Sequence, residues 1–268
     1  MHSNMKKTFI SIVMLMACAL GNAQETYHPT AENLKARKEF QDEKFGIFLH
    51  WGLYSMMGVG EWVMTNKDIH YKEYPKLAET FYPSAFDADE WVKEIKASGA
   101  KYITITTRHH DGFSLFKTAT GKYNVVDGTP FKRDIIKELA DACHRHGIKL
   151  HLYYSHLDWG REDYPQGRTG LGTGRPKEKA NWASYYNFMN TQLTELLTHY
   201  GPVGAIWFDG WWDHDSDPKP FDWELTKQYA LIHKLQPQCL IGNNHHQTPY
   251  PGEDIQIFER DLPGENKA

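Results

Sequence analysis

Residues 204–213 read GAIWFDGWWD and predict a short buried strand that ends in a carboxylate. The four residues before Asp209 are apolar, which suits a parallel strand covered on both faces. Gly210 allows the chain to turn at once, so Asp209 would lie at the strand's carboxyl-terminal edge, where barrel enzymes carry their catalytic side chains. An aspartate after a strand often only caps the next loop. Three nearby tryptophans and two further carboxylates, Asp213 and Asp215, favour a ligand site instead.

Strand-like and helix-like segments alternate along the rest of the chain. Alternation of this kind predicts a parallel sheet, and the number of units favours a barrel over an open sheet. The predicted fold class is therefore α/β, a (β/α)8-like TIM barrel. Its predicted strands are 45–52, 101–107, 148–155, 204–209, 239–244 and one beginning within 255–258, and its predicted helices are 87–98, 134–146, 181–200 and 223–235.

The first 23 residues have the features of a secretory signal peptide. Two lysines precede an apolar run over 9–20, and the Gly-Asn-Ala that follows has the small-x-small form of a signal-peptidase site. We expect cleavage after Ala23 and a barrel domain over 24–268 that works in the periplasm or outside the cell. A lipoprotein anchor at Cys18 is the less favoured alternative.

Composition excludes several classes of partner. The formal net charge is −4 and there is no long basic run, so nothing favours binding to nucleic acid or anionic lipid. No stretch approaches the roughly 20 apolar residues of a membrane span. Cys143 and Cys239 are the cysteines beyond the signal segment, which excludes a disulfide framework and leaves one bridge open. Nine tryptophans within an aromatic content of 14% are typical of carbohydrate-handling proteins.

Polar side chains stand at or just past the ends of successive predicted strands. In a barrel these ends converge on one pocket. Neutral donors around one carboxylate, with tryptophan walls, suit a polyhydroxylated ligand whose apolar ring face stacks on an aromatic ring. No glycine fingerprint for a phosphate cofactor is present, and the glycine-rich loop 167–174 is interpreted as a flexible rim. The residues at these strand ends are His50, His109 with His110, Tyr154 with Ser155, Asp209, and Asn243 with Asn244.

Five segments, in order, resemble the motifs of the α-L-fucosidases of glycoside hydrolase family 29. The resemblance covers the chain from about residue 25 onward and implies a retaining exo-hydrolase on a (β/α)8-like barrel. It implies fucosylated glycans as partners, and no metal or organic cofactor. The segments are FGIFLHWG (45–52), EW (61–62), RHHDGF (108–113), LYYS (152–155) and WFDG (207–210).

The resemblance also implies roles for individual residues. Asp209 would attack the anomeric carbon of fucose to form a glycosyl-enzyme intermediate that water then hydrolyses. Other matching positions would form the fucose-binding wall, holding hydroxyls and packing the C5 methyl group. These are His50, Glu61, Trp62, His109, His110, Tyr154 and Trp207.

The acid/base residue is where the sequence departs from the family. The family's acid/base glutamate lies in a later segment, and a β-sandwich domain usually follows. This sequence ends after about six predicted strands, in the polar stretch 263–268, so we expect a barrel truncated before its last strands, with exposed edges. Glu259 is the best substitute present for the acid/base.

Two other functions remain open at this point. A non-catalytic fucose-binding protein would keep the pocket but lack the acid/base. A metal-dependent hydrolase is less favoured, because adjacent histidines on a strand should point to opposite faces and cannot both bind one ion. Its ligands would come from His109, His110, His245, His246, Asp213 and Asp215.

Overall fold

In the computed structural model, residues 27–259 are described, and they build one parallel sheet with its strands in chain order. The alternation predicted from the sequence is confirmed, with boundaries that differ by a few residues at most. The strands are β1 (Gly46–Leu49), β2 (Tyr102–Arg108), β3 (Lys149–Ser155), β4 (Ala205–Asp209), β5 (Leu240–Asn243) and β6 (Ile255–Gln256). The helices are α1 (Ala31–Glu43), α2 (Val63–Asn66), α3 (Ala88–Ala97), α4 (Val125–Gly128), α5 (Ile135–His146), α6 (Trp182–His199) and α7 (Leu225–Leu235).

The sheet is curled. β1 and β4 are separated by two strands, which in a flat sheet would place them about 14 Å apart. The rings of Phe48 on β1 and Trp207 on β4 nevertheless lie 5.0 Å apart, because both project into the concave side. The described strands therefore form an open half-barrel, in which β1 pairs with β2 and β6 pairs with β5.

Side-chain caps set the beginnings of the long helices. Asp87 accepts a hydrogen bond from the backbone of residue 90 at the start of α3, and Asp134 accepts one from residue 137 at the start of α5. Asn181 does the same for α6. Gly147 ends α5 at φ 67°, a left-handed conformation that glycine adopts without strain. These residues fix where the three helices begin and where α5 ends.

Helix α1 was not predicted from the sequence. It is largely exposed, and it is held in place by ion pairs and by Phe40, whose ring lies 5.5 Å from that of Tyr102 on β2 and 5.9 Å from that of His151 on β3. Lys149 on β3 contacts Glu39 at 2.8 Å and Glu43 at 2.6 Å, and Arg37 contacts Asp254 at 2.6 Å. Its sequence carries no helical stripe of apolar residues, so pattern analysis could not detect it.

The parallel register aligns the carboxyl-terminal ends of the strands. Ser155 on β3 pairs with Asp209 on β4, and Phe208 pairs with Asn243 on β5. Side chains at these positions therefore reach the same edge of the sheet, as the sequence predicted.

Three other expectations concern parts of the chain away from this edge. The predicted signal peptide lies outside the described residues, as do residues 260–268. No helix within 27–259 is long and apolar enough to cross a membrane. Cys143 and Cys239 are buried and free, so the single bridge left open by the sequence is not formed.

Candidate active site

A cavity of about 1120 Å³ opens at the carboxyl-terminal ends of the strands. Most of the side chains that the sequence singled out line it. Those are His50, Glu61, Trp62, His109, Trp207, Asp209, Asn244 and Glu259, and they are joined by Phe48, Tyr153, Trp211 and Trp212 among others.

Asp209 lies at the base of this cavity, with a carboxylate whose two oxygens have different surroundings. Oδ1 accepts hydrogen bonds from Gly210 N at 2.7 Å, Trp212 Nε1 at 2.9 Å and Asn244 Nδ2 at 3.2 Å. Oδ2 accepts one, from the hydroxyl of Tyr153 at 2.8 Å. Three donors saturate Oδ1, whereas Oδ2 keeps a lone pair available. Oδ2 is therefore the oxygen that can act on a ligand.

Burial and hydrogen bonding act in opposite directions on Asp209. Burial raises the pKa of Asp209, because a charged carboxylate loses its hydration, and the four hydrogen bonds lower it. The net shift is upward. The pKa values of His50, His109 and His110 are all lowered, chiefly by burial, so these imidazoles are neutral at pH 7. These histidines thus offer uncharged donors and acceptors beside the Asp209 carboxylate.

His109 and His110 both reach the site. Their rings lie 4.1 Å apart, and His110 Nε2 is 3.5 Å from Asp209 Oδ2. The expectation that these neighbours point to opposite faces was wrong, because β2 ends at Arg108 after a register shift and strand alternation no longer applies beyond it.

The structure corrects the prediction for β3. Tyr154 points away from the cavity, where its hydroxyl donates to Gln192 Oε1 at 2.8 Å and its ring lies against the Arg108 guanidinium. Tyr153 occupies the place assigned to Tyr154 and contacts Asp209. Successive side chains of a strand alternate between its faces, so only one of two adjacent tyrosines can face the cavity.

Trp212 joins the aromatic wall to the carboxylate. Its ring stacks on Trp62 at 5.5 Å with an angle of 18° between the planes, while its Nε1 donates to Asp209. The guanidinium of Arg168 lies over the Trp212 ring, 5.4 Å from the ring centre. The sequence places Trp212 near Asp209 but does not predict a role for it.

Glu259 also lines the cavity, and Asn244 links it to Asp209. Asn244 Nδ2 donates to Glu259 Oε2 at 2.6 Å and to Asp209 Oδ1 at 3.2 Å. The two acceptor oxygens can be separated by no more than the sum of these distances. This upper limit is compatible with the about 5 to 5.5 Å between the carboxyl groups of retaining glycosidases.

Asp213 does not reach the cavity. It is fully buried and accepts hydrogen bonds from Thr169 N at 2.8 Å, Thr169 Oγ1 at 2.6 Å and Tyr164 OH at 2.8 Å. The two hydrogen bonds from Thr169 hold the loop 167–174 in place, whereas the sequence suggested a flexible rim. Asp215 lies at the mouth of the cavity with Arg168, 3.1 Å away.

In the described part of the chain, His109 and His110 lie side by side, but the other proposed metal ligands do not complete a metal site with them. Within 27–259, no group of three or more histidine, cysteine, aspartate or glutamate side chains could hold an ion. His245 is instead paired with Glu253 at 2.9 Å. The residues that the structure describes therefore give the metal-dependent alternative no site.

Comparison with known proteins identifies related chains. A family model described as Alpha-L-fucosidase matches residues 14–268. Human plasma alpha-L-fucosidase is 37% identical over 234 residues, which cover 79% of this chain and 47% of that protein. This chain spans about half, or less, of the length of the curated relatives it matches.

Solved structures agree with this match. Unliganded alpha-L-fucosidase AlfC from Lactobacillus casei shares 33% identity with a TM-score of 0.68, over 78% of this chain and 70% of that chain. A structure of AlfC in complex with Fuca(1,6)GlcNAc shares 32% identity with a TM-score of 0.68, over 78% and 69% of the two chains. At this level of identity, the likeness extends beyond the fold to the sequence.

Proposed function

Because the chain belongs to the α-L-fucosidase family, we propose that it is an exo-acting glycoside hydrolase that releases terminal α-L-fucose from fucosylated glycans. The AlfC complex with Fuca(1,6)GlcNAc supports a fucosylated glycan as the substrate class. The size of the cavity supports this class as well, since it extends past Asp209 to Trp211 and Asp215, where the remainder of a glycan could lie.

The observation that carries the proposal is the asymmetric environment of the Asp209 carboxylate. Oδ1 is held by three donors, so Oδ2 is fixed in position and open toward the cavity. In a retaining reaction, Oδ2 would bond to the anomeric carbon while the bond to the glycosidic oxygen breaks, and water would later release fucose from this ester. Asp209 is thus the proposed nucleophile.

The wall around Asp209 is suited to a neutral deoxy sugar. His50, His109 and His110 are neutral and present ring nitrogens for hydroxyl groups. Glu61 adds an acceptor, and the rings of Trp62 and Trp207 give apolar surface for the sugar ring and its methyl group. We assign the fucose-binding role predicted for Tyr154 to Tyr153.

Glu259 is our candidate for the acid/base. Asn244 holds its carboxyl group near Asp209, and the upper limit on their separation is compatible with the retaining geometry. In this role its carboxyl group would protonate the leaving oxygen in the first step and take a proton from water in the second.

The proposal also includes the barrel fold and the cellular location of the protein. Parallel strands in chain order, curled around the cavity, support a (β/α)8-type barrel of which the six strands are a part. The pattern of residues 1–23 supports a cleaved signal peptide and a protein of the periplasm or the extracellular space.

Turnover of 4-nitrophenyl α-L-fucoside by the wild type and by Asp209→Ala tests the function. The wild type should release nitrophenol, and the variant should lose at least about 1,000-fold in kcat. Far-ultraviolet circular dichroism of both proteins checks that the variant is folded. A folded wild type that binds fucose without turnover would overturn the proposed hydrolysis and favour a fucose-binding protein.

A further inference from the structure

His110 makes a short hydrogen bond on the side of its ring that faces away from Asp209. Its Nδ1 lies 2.7 Å from Ser155 Oγ, and Ser155 Oγ donates to the carbonyl oxygen of Leu157 at 2.7 Å. Both side chains are buried, with His110 exposed by 1% and Ser155 by 0%. Water therefore does not compete for these contacts.

The direction of the first hydrogen bond follows from the second. A carbonyl oxygen only accepts, so the Ser155 hydroxyl must supply the hydrogen for Leu157. A serine hydroxyl has one hydrogen, which leaves Ser155 Oγ as an acceptor toward His110. Nδ1 of His110 must therefore carry a hydrogen.

The other ring nitrogen then faces the carboxylate without a hydrogen. Burial lowers the pKa of His110, and the electrostatic effects of His50 and of the Arg108 guanidinium lower it further against the opposing effect of Asp158, so the ring is neutral. A neutral imidazole protonated on Nδ1 has a lone pair on Nε2. Nε2 and Asp209 Oδ2, which are 3.5 Å apart, are then two acceptors facing one another.

We propose that Ser155 is a positioning residue that fixes His110 as the Nδ1–H tautomer, so that Nε2 accepts a hydrogen bond from a hydroxyl of the bound sugar. A hydroxyl hydrogen placed beside Nε2 pairs with this acceptor, and a ligand without that hydroxyl does not provide the hydrogen bond. The hydrogen on Nδ1 rests on the geometry of the two hydrogen bonds, while the identity of the sugar rests on the proposed function.

The Nδ1–H tautomer also preserves the basicity of Asp209 Oδ2. If Nε2 carried the hydrogen, it would donate to Asp209 Oδ2, the one oxygen that keeps a free lone pair. A further donor would lower the basicity of that oxygen. Ser155 therefore acts on Asp209 through His110, without contacting the carboxylate.

Nitrogen-15 NMR of protein labelled in histidine measures the tautomer directly. The His110 signals are identified by their loss in His110→Asn. We expect wild-type His110 to be protonated on Nδ1 at pH 7, with an Nε2 signal that shifts when L-fucose is added. Wild-type protein with the hydrogen on Nε2 would overturn the proposal. This readout needs no turnover, so it fails independently of the proposed function.

Ser155→Ala removes the oxygen that accepts the hydrogen bond from His110 Nδ1, and three effects should follow. The His110 hydrogen should move to Nε2, the acid limb of the pH profile for 4-nitrophenyl α-L-fucoside should shift to lower pH, and kcat/KM should fall about tenfold. Ser155→Thr retains a hydroxyl and should restore the Nδ1–H tautomer.

Ser114→Ala is the matched control, since it removes another buried hydroxyl, which bonds Gln192 and not His110. It should leave both the tautomer and the acid limb unchanged. A Ser155→Ala protein that keeps the hydrogen on Nδ1 would refute the role of Ser155.

Discussion

The hydroxyl of Tyr153 donates a 2.8 Å hydrogen bond to Oδ2 of Asp209, the oxygen proposed to act as the nucleophile. Its neighbour Tyr154 donates to Gln192 on the other face of β3. Two adjacent residues of one type thus have separate roles, one in the site and one in the packing behind it.

Replacement of each tyrosine by phenylalanine tests this division. Tyr153→Phe removes a hydrogen bond to a charged group, so kcat/KM on an aryl α-L-fucoside should fall about 10- to 100-fold. Tyr154→Phe should change kcat/KM little, but should lower the free energy of unfolding by about 1 kcal/mol because Gln192 loses a partner. Steady-state kinetics and urea unfolding of both variants provide the measurements. A larger kinetic loss in Tyr154→Phe would contradict the placement of the two rings.

The sequence could predict which strands supply the site, but not every side chain. The position of Asp209 follows from an apolar strand and the glycine after it. The segment LYYS does not reveal which tyrosine faces the cavity. β3 is buried on both faces, so no polar face of the strand shows which side chains point inward. The sequence also does not reveal that Asp213 is buried, because its burial depends on a contact with Thr169, which is distant in the chain. Contacts of this kind arise from tertiary packing.

Trp212→Phe should move the pH dependence of the reaction. Burial sets the pKa of Asp209 above the ordinary aspartate value of about 3.9, and the Trp212 hydrogen bond partly opposes this. Without that donor the pKa rises further, so ionised Asp209 is lost at a higher pH as the solution is acidified. The acid limb of kcat/KM should therefore shift upward, while the ring of phenylalanine keeps the contact with Trp62. A downward shift or a fixed limb would contradict a direct effect of Trp212 on Asp209.

Glu259→Gln should affect substrates according to their leaving groups. General acid catalysis contributes about 100- to 10,000-fold, and a good leaving group needs little of it. The variant should lose at least about 100-fold in kcat/KM on Fuca(1,6)GlcNAc, and less than about tenfold on 2-chloro-4-nitrophenyl α-L-fucoside. Glu61→Gln is the control, because a residue that binds the fucose should slow both substrates equally. Equal losses in Glu259→Gln would assign the acid/base to another group.

Asp111, in the RHHDGF segment behind the site, should make stability depend on pH. It accepts hydrogen bonds from Tyr74 OH at 2.9 Å and Phe113 N at 3.2 Å, and burial raises the pKa of Asp111 to about 6 from 3.8. The folded state thus binds a proton more tightly than the unfolded state. The stability from this group is therefore fully present below the unfolded pKa and is lost as the pH rises through 6.

Asp111→Asn removes this titration and keeps the size of the side chain. The free energy of unfolding of the wild type, minus that of the variant, should decrease by roughly 2 to 3 kcal/mol between pH 4 and pH 7. Taking the difference cancels other groups that titrate in this range, because both proteins share them. Urea unfolding at each pH measures it. A difference that stays constant would mean that Asp111 ionises in the folded protein as it does in the unfolded chain, and that its burial is offset by its hydrogen bonds.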